Sequence, residues 1–326
     1  MSNFILTGGA GHVGAAVIRA LLQRGERVRA LLLPGQAPKV TDAAVEYVEG
    51  DVCRPETLAP LFRESEGAVV IHTAALISIA RKVDDRVRSV NVGGTQNVLT
   101  LCREAGVKRL IHVCSSHAIP ELPRGQVQRE IDDYDPDRVE GCYAKTKAEA
   151  ARAVVAAARQ GLDAVLVLPT GILGPGDKGG NHLLQMVIQY MQGKLPAYVK
   201  GGYDFVDVRD VAEGCLLAAE KGRAAESYLL NGEYLSLRDL LGEVRELAGL
   251  KPIPELPLFL GKAAVPFVEM AAKATHRRPL YTEYALRVVG SNALYSHEKA
   301  TAELGYKPRP MTETIRDMVA WLQENL

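Results

Sequence analysis

Thr7-Gly8-Gly9-Ala10-Gly11-His12-Val13-Gly14 is the stretch that decides the fold. It follows the apolar run Phe4–Thr7 and leads into Val13–Arg24, where apolar residues recur at helical spacing. Two glycine patterns overlap in it, Gly9-x-Gly11-x-x-Gly14 and Gly8-x-x-Gly11-x-x-Gly14. A strand, a glycine turn and a helix in that order make a pyrophosphate site. Glycines allow positive φ and close backbone approach, and the helix N-terminus adds N–H groups and partial positive charge. Gly8, Gly11, His12, Val13 and Gly14 are therefore expected to hold a dinucleotide; the plainer alternative is a glycine turn that binds nothing.

Working outward, the first half of the chain alternates short apolar runs with amphipathic stretches. Strands are expected at Phe4–Thr7, Val28–Leu33, Val45–Val48, Ala68–Thr73, Leu110–Cys114 and Ala164–Leu168, and helices at Val13–Arg24, Glu56–Glu64, Val87–Ala105 and Tyr143–Arg159. Several helices end at a glycine (Gly25, Gly106, Gly161). Six strands with right-handed crossovers predict an α/β fold, a Rossmann-type doubly wound parallel sheet. After Pro169 five glycines crowd residues 171–180 and the alternation breaks. Phe205–Val208, Val211–Lys221 and Tyr228–Leu230 then read strand, helix, strand, so the chain is expected to return to the sheet. The predicted organisation is a dinucleotide-binding domain of residues 1–170 plus about 203–232, and a smaller, mostly α, C-terminal substrate domain of about 171–202 plus 233–326. The segment 120–143, rich in Pro, Asp and Glu, is expected to form a surface loop over the site.

Composition narrows the function classes. Lys plus Arg equals Asp plus Glu at 39 each, so no net field gathers nucleic acid or an anionic membrane. Hydrophobic residues at 47% and charged residues at 24% are ordinary for a folded domain. The five cysteines are scattered and form no C-x-x-C pair, which argues against a disulfide framework or a zinc site and suits a reducing cytoplasm. No charged leader precedes the first strand, and the most apolar stretch, Leu256–Ala274, is interrupted by Lys262, Pro266, Glu269 and Lys273, which favours a helical segment of the substrate domain. The expectation is a cytoplasmic protein that acts on a small molecule, with neither nucleic acid nor membrane as partner.

Past the glycine turn, Gly50-Asp51-Val52 ends the third strand, where a carboxylate can meet an adenine amino group; Gly-Asp is also a common turn. His72-Thr73-Ala74-Ala75 puts small residues at the expected switch point of the sheet. Asp51, Val52, Thr73, Ala74 and Ala75 join the cofactor candidates. The second strand ends in Leu32-Leu33-Pro34, with neither the acidic residue that suits an NAD ribose nor the Arg that suits a 2′-phosphate; Arg29 and Lys39 are the nearest cations. The cofactor is thus NAD or NADP, with NAD slightly favoured, since an apolar Leu33 harms a dianionic phosphate more than a hydroxyl.

Tyr143-Ala-Lys-Thr-Lys147 is a Y-x-x-x-K, of which about half of one is expected by chance among 12 Tyr. Tyr190/Lys194 and Tyr295/Lys299 match equally well, and position chooses among them. Tyr143 opens the helix between the fifth and sixth strands, whereas the Tyr190 copy contains Gly193 and lies in the second domain, and the Tyr295 copy lies nearer the C-terminus than any expected cofactor contact. Four residues apart on a helix, Tyr143 and Lys147 share a face, so an ammonium beside the phenol lowers its pKa and suits it to acid/base work. Ser115 and Ser116 follow the fifth strand; Ser116 is the expected hydroxyl for the substrate oxygen, Ser115 the alternative, and a structural cap the plain reading.

These motifs resemble the extended short-chain dehydrogenase/reductases of the NAD-dependent epimerase/dehydratase superfamily, in particular the dihydroflavonol reductase-like and hydroxysteroid dehydrogenase-like branch. The resemblance runs over nearly the whole chain and rests on TGGAGHVG at 7–14, GDV at 50–52, HTAA at 72–75, NVGGTQNVL at 91–99, CSS at 114–116, YAKTK at 143–147, LPTGILGPGD at 168–177, FVDVRDVA at 205–212 and ELGYKPRP at 303–310. It implies that a nicotinamide lies along Leu168, Pro169 and Ile172, that Asn91 orders the centre of the site, and that the chain is a homodimer through the helices at Val87–Ala105 and Tyr143–Arg159. The expected activity is reversible reduction of a ketone or oxidation of a secondary alcohol. The segments expected to line the substrate pocket, Leu76–Ala80, His117–Leu122, Ile172 and Leu195–Tyr203, are more apolar and aromatic than charged, which favours a neutral, ring-containing substrate. A sugar-nucleotide epimerase or dehydratase is the alternative and needs cations for a pyrophosphate, for which His276-Arg277-Arg278 and Arg209 are candidates. A cofactor-sensing protein without catalysis is a third reading.

Overall fold

The computed structural model describes residues 3–78, 83–178, 182–263, 265 and 282–326. In chain order its elements are β1 (Phe4–Thr7), α1 (His12–Gln23), β2 (Val28–Leu32), β3 (Val45–Glu49), β4 (Val69–His72), α2 (Asp85–Arg88), α3 (Gly94–Glu104), β5 (Arg109–Val113), α4 (Cys142–Arg159) and β6 (Ala164–Pro169). There follow β7 (Gly171–Leu173), α5 (His182–Met191), β8 (Tyr198–Val199), β9 (Gly202–Asp207), α6 (Val208–Lys221), β10 (Ser227–Leu230), β11 (Glu233–Ser236), α7 (Leu237–Ala248), β12 (Glu255–Leu256), α8 (Glu283–Val289), α9 (Glu298–Leu304) and α10 (Met311–Asn325).

A seven-stranded sheet in the order β10-β6-β5-β4-β1-β2-β3 carries the fold, and all its pairings are parallel. The order reverses between β1 and β4, and at that reversal the strand ends diverge to leave a crevice for a ligand. The strands read as continuous apolar runs because both faces are covered. Ile5, Val70, Leu110 and Leu166 join the core beneath α3 and α4, while their neighbours Leu6, Ile71, Ile111 and Val167 join the core beneath α1 and α6. A third core holds α5, α7 and α10 together through residues such as Leu184, Leu240 and Ile315. At about 1.5–3 kcal/mol for each fully buried aliphatic side chain, such two-sided burial is what keeps short parallel strands in place.

Several elements differ from the sequence reading. Glu56–Glu64 is not a helix: only a single 3-10 turn, Pro55–Thr57, forms. Pro60 lacks an N–H and disfavours helical geometry at Ala59, yet Leu58, Leu61 and Phe62 are still buried against the sheet. The expected helix Val87–Ala105 is instead α2 and α3 joined by a wide π turn over Ser89–Gly93. The sheet has seven strands rather than six, and β9 does not enter it. β9 pairs in parallel with β7 and antiparallel with β11 in a separate three-stranded sheet, while β10 alone returns to the main one. Only the first part of Leu256–Ala274 falls within the described residues. No described helix is long and apolar enough to cross a membrane.

The segment between β5 and α4 is a loop pinned to the chain between α8 and α9. Asn292 is its fastening: buried, it donates from Nδ2 to the carbonyls of Leu122, Pro123 and Gln126, and its N–H bonds Glu121 Oε1 at 2.8 Å. Gln128 N–H donates to the Leu294 carbonyl at 2.7 Å, and Gln128 Nε2 to the Asn292 carbonyl at 2.8 Å. This clamp brings residues near 290, far from the motifs in sequence, over the sheet's C-terminal edge.

Candidate active site

The glycine turn is shaped by contacts no side chain tolerates. Gly8 has φ +77°, and a Cβ there would stand 2.6 Å from Thr73 Oγ1 and 2.8 Å from Ala74 N. At Gly14 a Cβ would stand 2.2 Å from the Gly8 carbonyl oxygen. With no side-chain cap and no acidic residue in its first turn, α1 leaves its leading N–H groups to whatever lies in front of them. His12 Nε2 lies 3.0 Å from the Pro175 carbonyl and donates to it, which leaves the buried Nδ1 without a partner, and burial holds the ring's pKa below its ordinary value. This cradle fits a dinucleotide pyrophosphate, with the backbone of Gly11 to Gly14 to hold it.

Beneath the cradle, hydrogen bonds tie the ends of β1 and β4, the π turn and α3 together. Ala74 N–H donates to Thr7 Oγ1, Thr7 Oγ1 meets His72 Nδ1 at 2.6 Å, His72 Nε2 meets Thr95 Oγ1 at 3.1 Å, and Thr95 donates to the Asn91 carbonyl. Since Thr95 gives its proton to Asn91, it accepts from His72 Nε2–H, so His72 is neutral with the proton on Nε2. Burial agrees, pushing His72 down to about 3. Asn91 sits in the π turn, accepts the Leu76 N–H at 2.8 Å, and donates to the Leu76 carbonyl and to Thr146 Oγ1 at 3.0 Å each. One side chain thus joins the loop after β4 to α4, one turn beyond Tyr143.

A single cavity of about 980 Å³ runs from the cradle across the ends of β5 and β6 to the clamp. Gly11, His12, Val13, Gly14, Thr73, Ala75, Ser115, Ser116, Tyr143, Lys147, Pro169 and Ile172 all border it. Gly8, Asp51, Val52 and Ala74 do not. Gly8 and Ala74 shape the turn from behind, Asp51 Oδ1 caps the Cys53 N–H at 2.9 Å, and the Val52 carbonyl accepts from Asn97 Nδ2 at 2.8 Å. Of the expected pocket segments, Leu76, Ile77, Ser78, His117, Ile119, Glu121 and Leu122 contribute, Ile79 and Ala80 lie outside the described residues, and from Leu195–Tyr203 only Tyr203 contributes. Leu195, Tyr198 and Val199 face the third core instead, because β8 pairs with β12.

The polar groups at the centre depart from expectation in two ways. Ser115, not Ser116, is the serine whose hydroxyl favours ionisation of the Tyr143 phenol, and Ser116 does the same for Tyr295. The reason is local: Ser115 is extended (φ −166°, ψ 148°) and begins a 3-10 turn, so Ser116 swings away from the strand direction. Ser115 Oγ also accepts the His117 N–H at 3.3 Å, which spends an acceptor site and leaves its proton to give. The second departure is that Lys147 does not depress Tyr143. Its buried Nζ donates to the Val113 carbonyl at 2.7 Å, while burial, the largest influence, pushes the phenol well above its ordinary pKa and lowers that of Lys147. The His117 ring, its centroid 6.3 Å from that of Tyr143, adds to the desolvation. Tyr143 therefore keeps its proton through neutral pH and is set to donate it.

Sequence reasoning missed Asp204, Tyr284, Asn292 and Tyr295, which with the expected Tyr203 complete the cavity's far wall. Asp204 is buried, accepts Thr170 Oγ1–H at 2.7 Å and the N–H of Gly232 at 3.2 Å, and is held up at about 6 by desolvation. Tyr295, whose place near the C-terminus argues against it in the sequence, is returned to the site by the clamp. Arg209 lies outside the described lining, engaged by Asp207 at 2.6 Å and Asp317 at 2.7 Å, and His276-Arg277-Arg278 lies outside the described residues.

Known proteins share the fold. The model of the NAD dependent epimerase/dehydratase family matches residues 4–230. The 4-hydroxy-2-methyl-3-oxo-4-farnesyl-3,4-dihydroquinoline-1-oxide ketoreductase of Stigmatella aurantiaca is 33% identical, covering 95% of this chain and 92% of that protein. Sterol demethylase protein B of Methylococcus capsulatus is 32% identical over 98% of each. Among solved structures, gox2253 superposes with a TM-score of 0.85 at 32% identity, covering 99% of this chain and 98% of that one. The UDP-glucose 4-epimerase of Thermus thermophilus, in complex with NAD, superposes at 0.78 with 26% identity over 99% of both chains. The chain belongs to the NAD dependent epimerase/dehydratase family and is an extended short-chain dehydrogenase/reductase, an NAD(P)-dependent oxidoreductase.

Proposed function

We propose that this enzyme reversibly reduces a ketone on a neutral, ring-containing substrate. The observation that carries the reading is one cavity holding the glycine cradle at one end, the Tyr143–Ser115 pair at its centre and the rings of Tyr203, Tyr284 and Tyr295 beyond. The nicotinamide, when bound, supplies the hydride. Tyr143 gives its proton to the carbonyl oxygen, the serine pair supplies a second hydroxyl to orient that oxygen, and Lys147 holds the ribose end of the cofactor beside α4. Pro169 and Ile172 form the surface along which the nicotinamide lies; Leu168, expected beside them, is buried in the core instead. The ketoreductase named above has a ring ketone in its own name, which supports the substrate class. A panel of ring ketones with NADH and NADPH tests it: net consumption of reduced cofactor is expected, and its absence alongside sugar-nucleotide epimerisation would sink the reading.

Charge weighs against the epimerase alternative. Lys39, Arg138, Lys147 and Arg287 border the cavity; Lys39, Lys147 and Arg287 are engaged by Asp177, the Val113 carbonyl and Glu140 respectively, which leaves the exposed Arg138, while Asp204 and Glu121 add negative charge to the wall. A diphosphate entering here finds few uncommitted partners among the described residues. The two serines are separable by mutation. Ser115→Ala is expected to lower kcat by about 10²-fold, the usual cost of one donor to a developing oxyanion, and Ser116→Ala by about tenfold or less. The reverse ranking would return the orienting role to Ser116.

For the cofactor we favour NAD. Leu33 is 44% exposed at the end of β2, and Lys39 is committed to the buried Asp177 at 2.7 Å, so a 2′-phosphate would have to break that pair. NADPH is expected to bind at least about tenfold more weakly than NADH at equal salt, matching the loss of a charge-assisted bond. Tighter NADPH binding that disappears in Lys39→Ala overturns the preference. By family likeness we also propose a homodimer through the face formed by α3 and α4, for which light scattering should give about twice 35.3 kDa.

A further inference from the structure

The chain leaves the seven-stranded sheet for the three-stranded one at two points, and one carboxylate holds both. Thr170 is the single residue between β6 and β7, and Asn231 and Gly232 are the two between β10 and β11. Pro169 and Leu230, the last residues before these crossings, lie opposite each other in the main sheet. Asp204, buried on β9, accepts Thr170 Oγ1–H at 2.7 Å and the Gly232 N–H at 3.2 Å on Oδ1, and Asn231 Nδ2–H at 3.2 Å on Oδ2. Joining two sheets needs no charge, and burying a carboxylate is costly. The crossing at Thr170 is also part of the site, because Pro169, Thr170, Gly171 and Ile172 all border the cavity. It has no slack: a Cβ on Gly171 would stand 2.9 Å from the Asp204 carbonyl oxygen.

We propose that Asp204, in its ionised form, is a positioning residue for the nicotinamide: through Thr170 it fixes the turn that carries Pro169 and Ile172. This role rests on the reading that places the nicotinamide along those two residues, and names what holds them. Pro169 has no N–H to give to the sheet, so the end of β6 lacks a backbone tie that the Thr170 hydroxyl replaces one residue on. All three partners of Asp204 donate, so as placed they favour the carboxylate, while burial, the larger influence, raises the group to about 6. Below that pH the carboxyl carries a proton, and an oxygen that must donate no longer serves all three donors. The titratable groups nearest it are Glu233 and Tyr234 on β11, and Tyr295 and Tyr306, which burial keeps protonated through this range. The cations on neighbouring elements are taken up elsewhere: Arg209 by Asp207 and Asp317, Arg309 by Asp210, and Arg287 by Glu140.

The test measures binding of NADH and of ADP-ribose, which lacks the nicotinamide, by calorimetry on the full chain from about pH 5 to 7.5. Wild type is compared with Asp204→Asn, Thr170→Val, Thr170→Ser and Ile172→Ala; NADPH and 2′-phospho-ADP-ribose replace the first pair if they bind more tightly. The ratio of the two affinities isolates the nicotinamide end, since general damage to the fold, or titration of His12 at the cradle, moves both ligands alike. At about pH 7.5 that ratio is expected to fall about tenfold in Asp204→Asn and in Thr170→Val, the effect of one lost hydrogen bond to a charged group, and to stay within about twofold of wild type in Thr170→Ser. In wild type the ratio should decline below about pH 6, and in Asp204→Asn it should be low and flat across the range. His117 borders the same cavity and is present in both, so a decline that survives in Asp204→Asn belongs to it and overturns the role of Asp204. A wild-type ratio that does not decline also overturns it. If Ile172→Ala lowers the ratio while Asp204→Asn and Thr170→Val leave it unchanged, the positioning role falls and the nicotinamide stays where it is placed. If no variant changes the ratio, the nicotinamide does not lie on this surface and both fall. Should Asp204→Asn not fold, Thr170→Val against Thr170→Ser and the wild-type pH profile decide in the same way.

Discussion

Tyr143→Phe is expected to lower kcat for ketone reduction by about 10³-fold, within the 10²–10⁴ that a positioned acid contributes. The phenol borders the cavity and is held by α4 at a place fixed by Asn91 through Thr146. Phe keeps the ring and its contact with His117 and removes only the proton donor, so circular dichroism and thermal midpoint should stay near wild type. A loss smaller than about tenfold on every accepted ketone would show that the proton comes from elsewhere. The pH profile gives a second check. Burial raises the phenol above its ordinary value of about 10, so the protonated form needed for reduction persists below that pH and is lost only above it. Reduction should therefore show no fall from titration of this group between about pH 6 and 8. Alcohol oxidation, which needs the deprotonated form, should climb across the same range.

What could be read from the chain beforehand divides along a physical line. Strands β1 to β6, the glycine turn and α1 and α4 were legible, because each is dictated within a few residues by apolar runs, glycines and helical spacing. The π turn at Asn91 was not, since one extra residue in a turn leaves apolar periodicity nearly unchanged. Pro60 was a readable signal against a helix at Glu56–Glu64, outweighed in that reading by Leu58, Leu61 and Phe62, which are buried without being helical. The choice between Ser115 and Ser116 rested on strand alternation, which stops applying where the 3-10 turn begins. Tyr295 and Asp204 were beyond reach for a different reason. They enter the cavity through pairings that span the chain, β9 with β7 and β11, and Gln128 with Asn292 and Tyr295, and no local pattern encodes those.

That the legible part is the cofactor half and the illegible part is the substrate half has an energetic side. The cradle is built from backbone, and its tolerances are those of covalent geometry. Gly14→Ala is accordingly expected to weaken binding of either reduced cofactor by about 100-fold or more, close to 3 kcal/mol. The added Cβ would stand 2.2 Å from the Gly8 oxygen and 3.2 Å from the Gly9 Cα, both backbone, so the turn itself must move. Overpacking of this kind costs about 1–3 kcal/mol of stability, which for a chain of this size lowers the midpoint by several degrees. Gly25→Ala separates the two effects. It lies at the far end of α1 at φ +74° with nothing within 4 Å of the new Cβ, so it carries backbone strain alone. Ala there should cost about 1 kcal/mol and leave cofactor affinity near wild type. Calorimetric titration of NADH and NADPH into both variants, alongside their melting curves, reads stability and affinity separately. Undiminished affinity in Gly14→Ala would mean that the cofactor does not rest on this turn, and the assignment of Gly11 to Gly14 as its cradle would have to be given up.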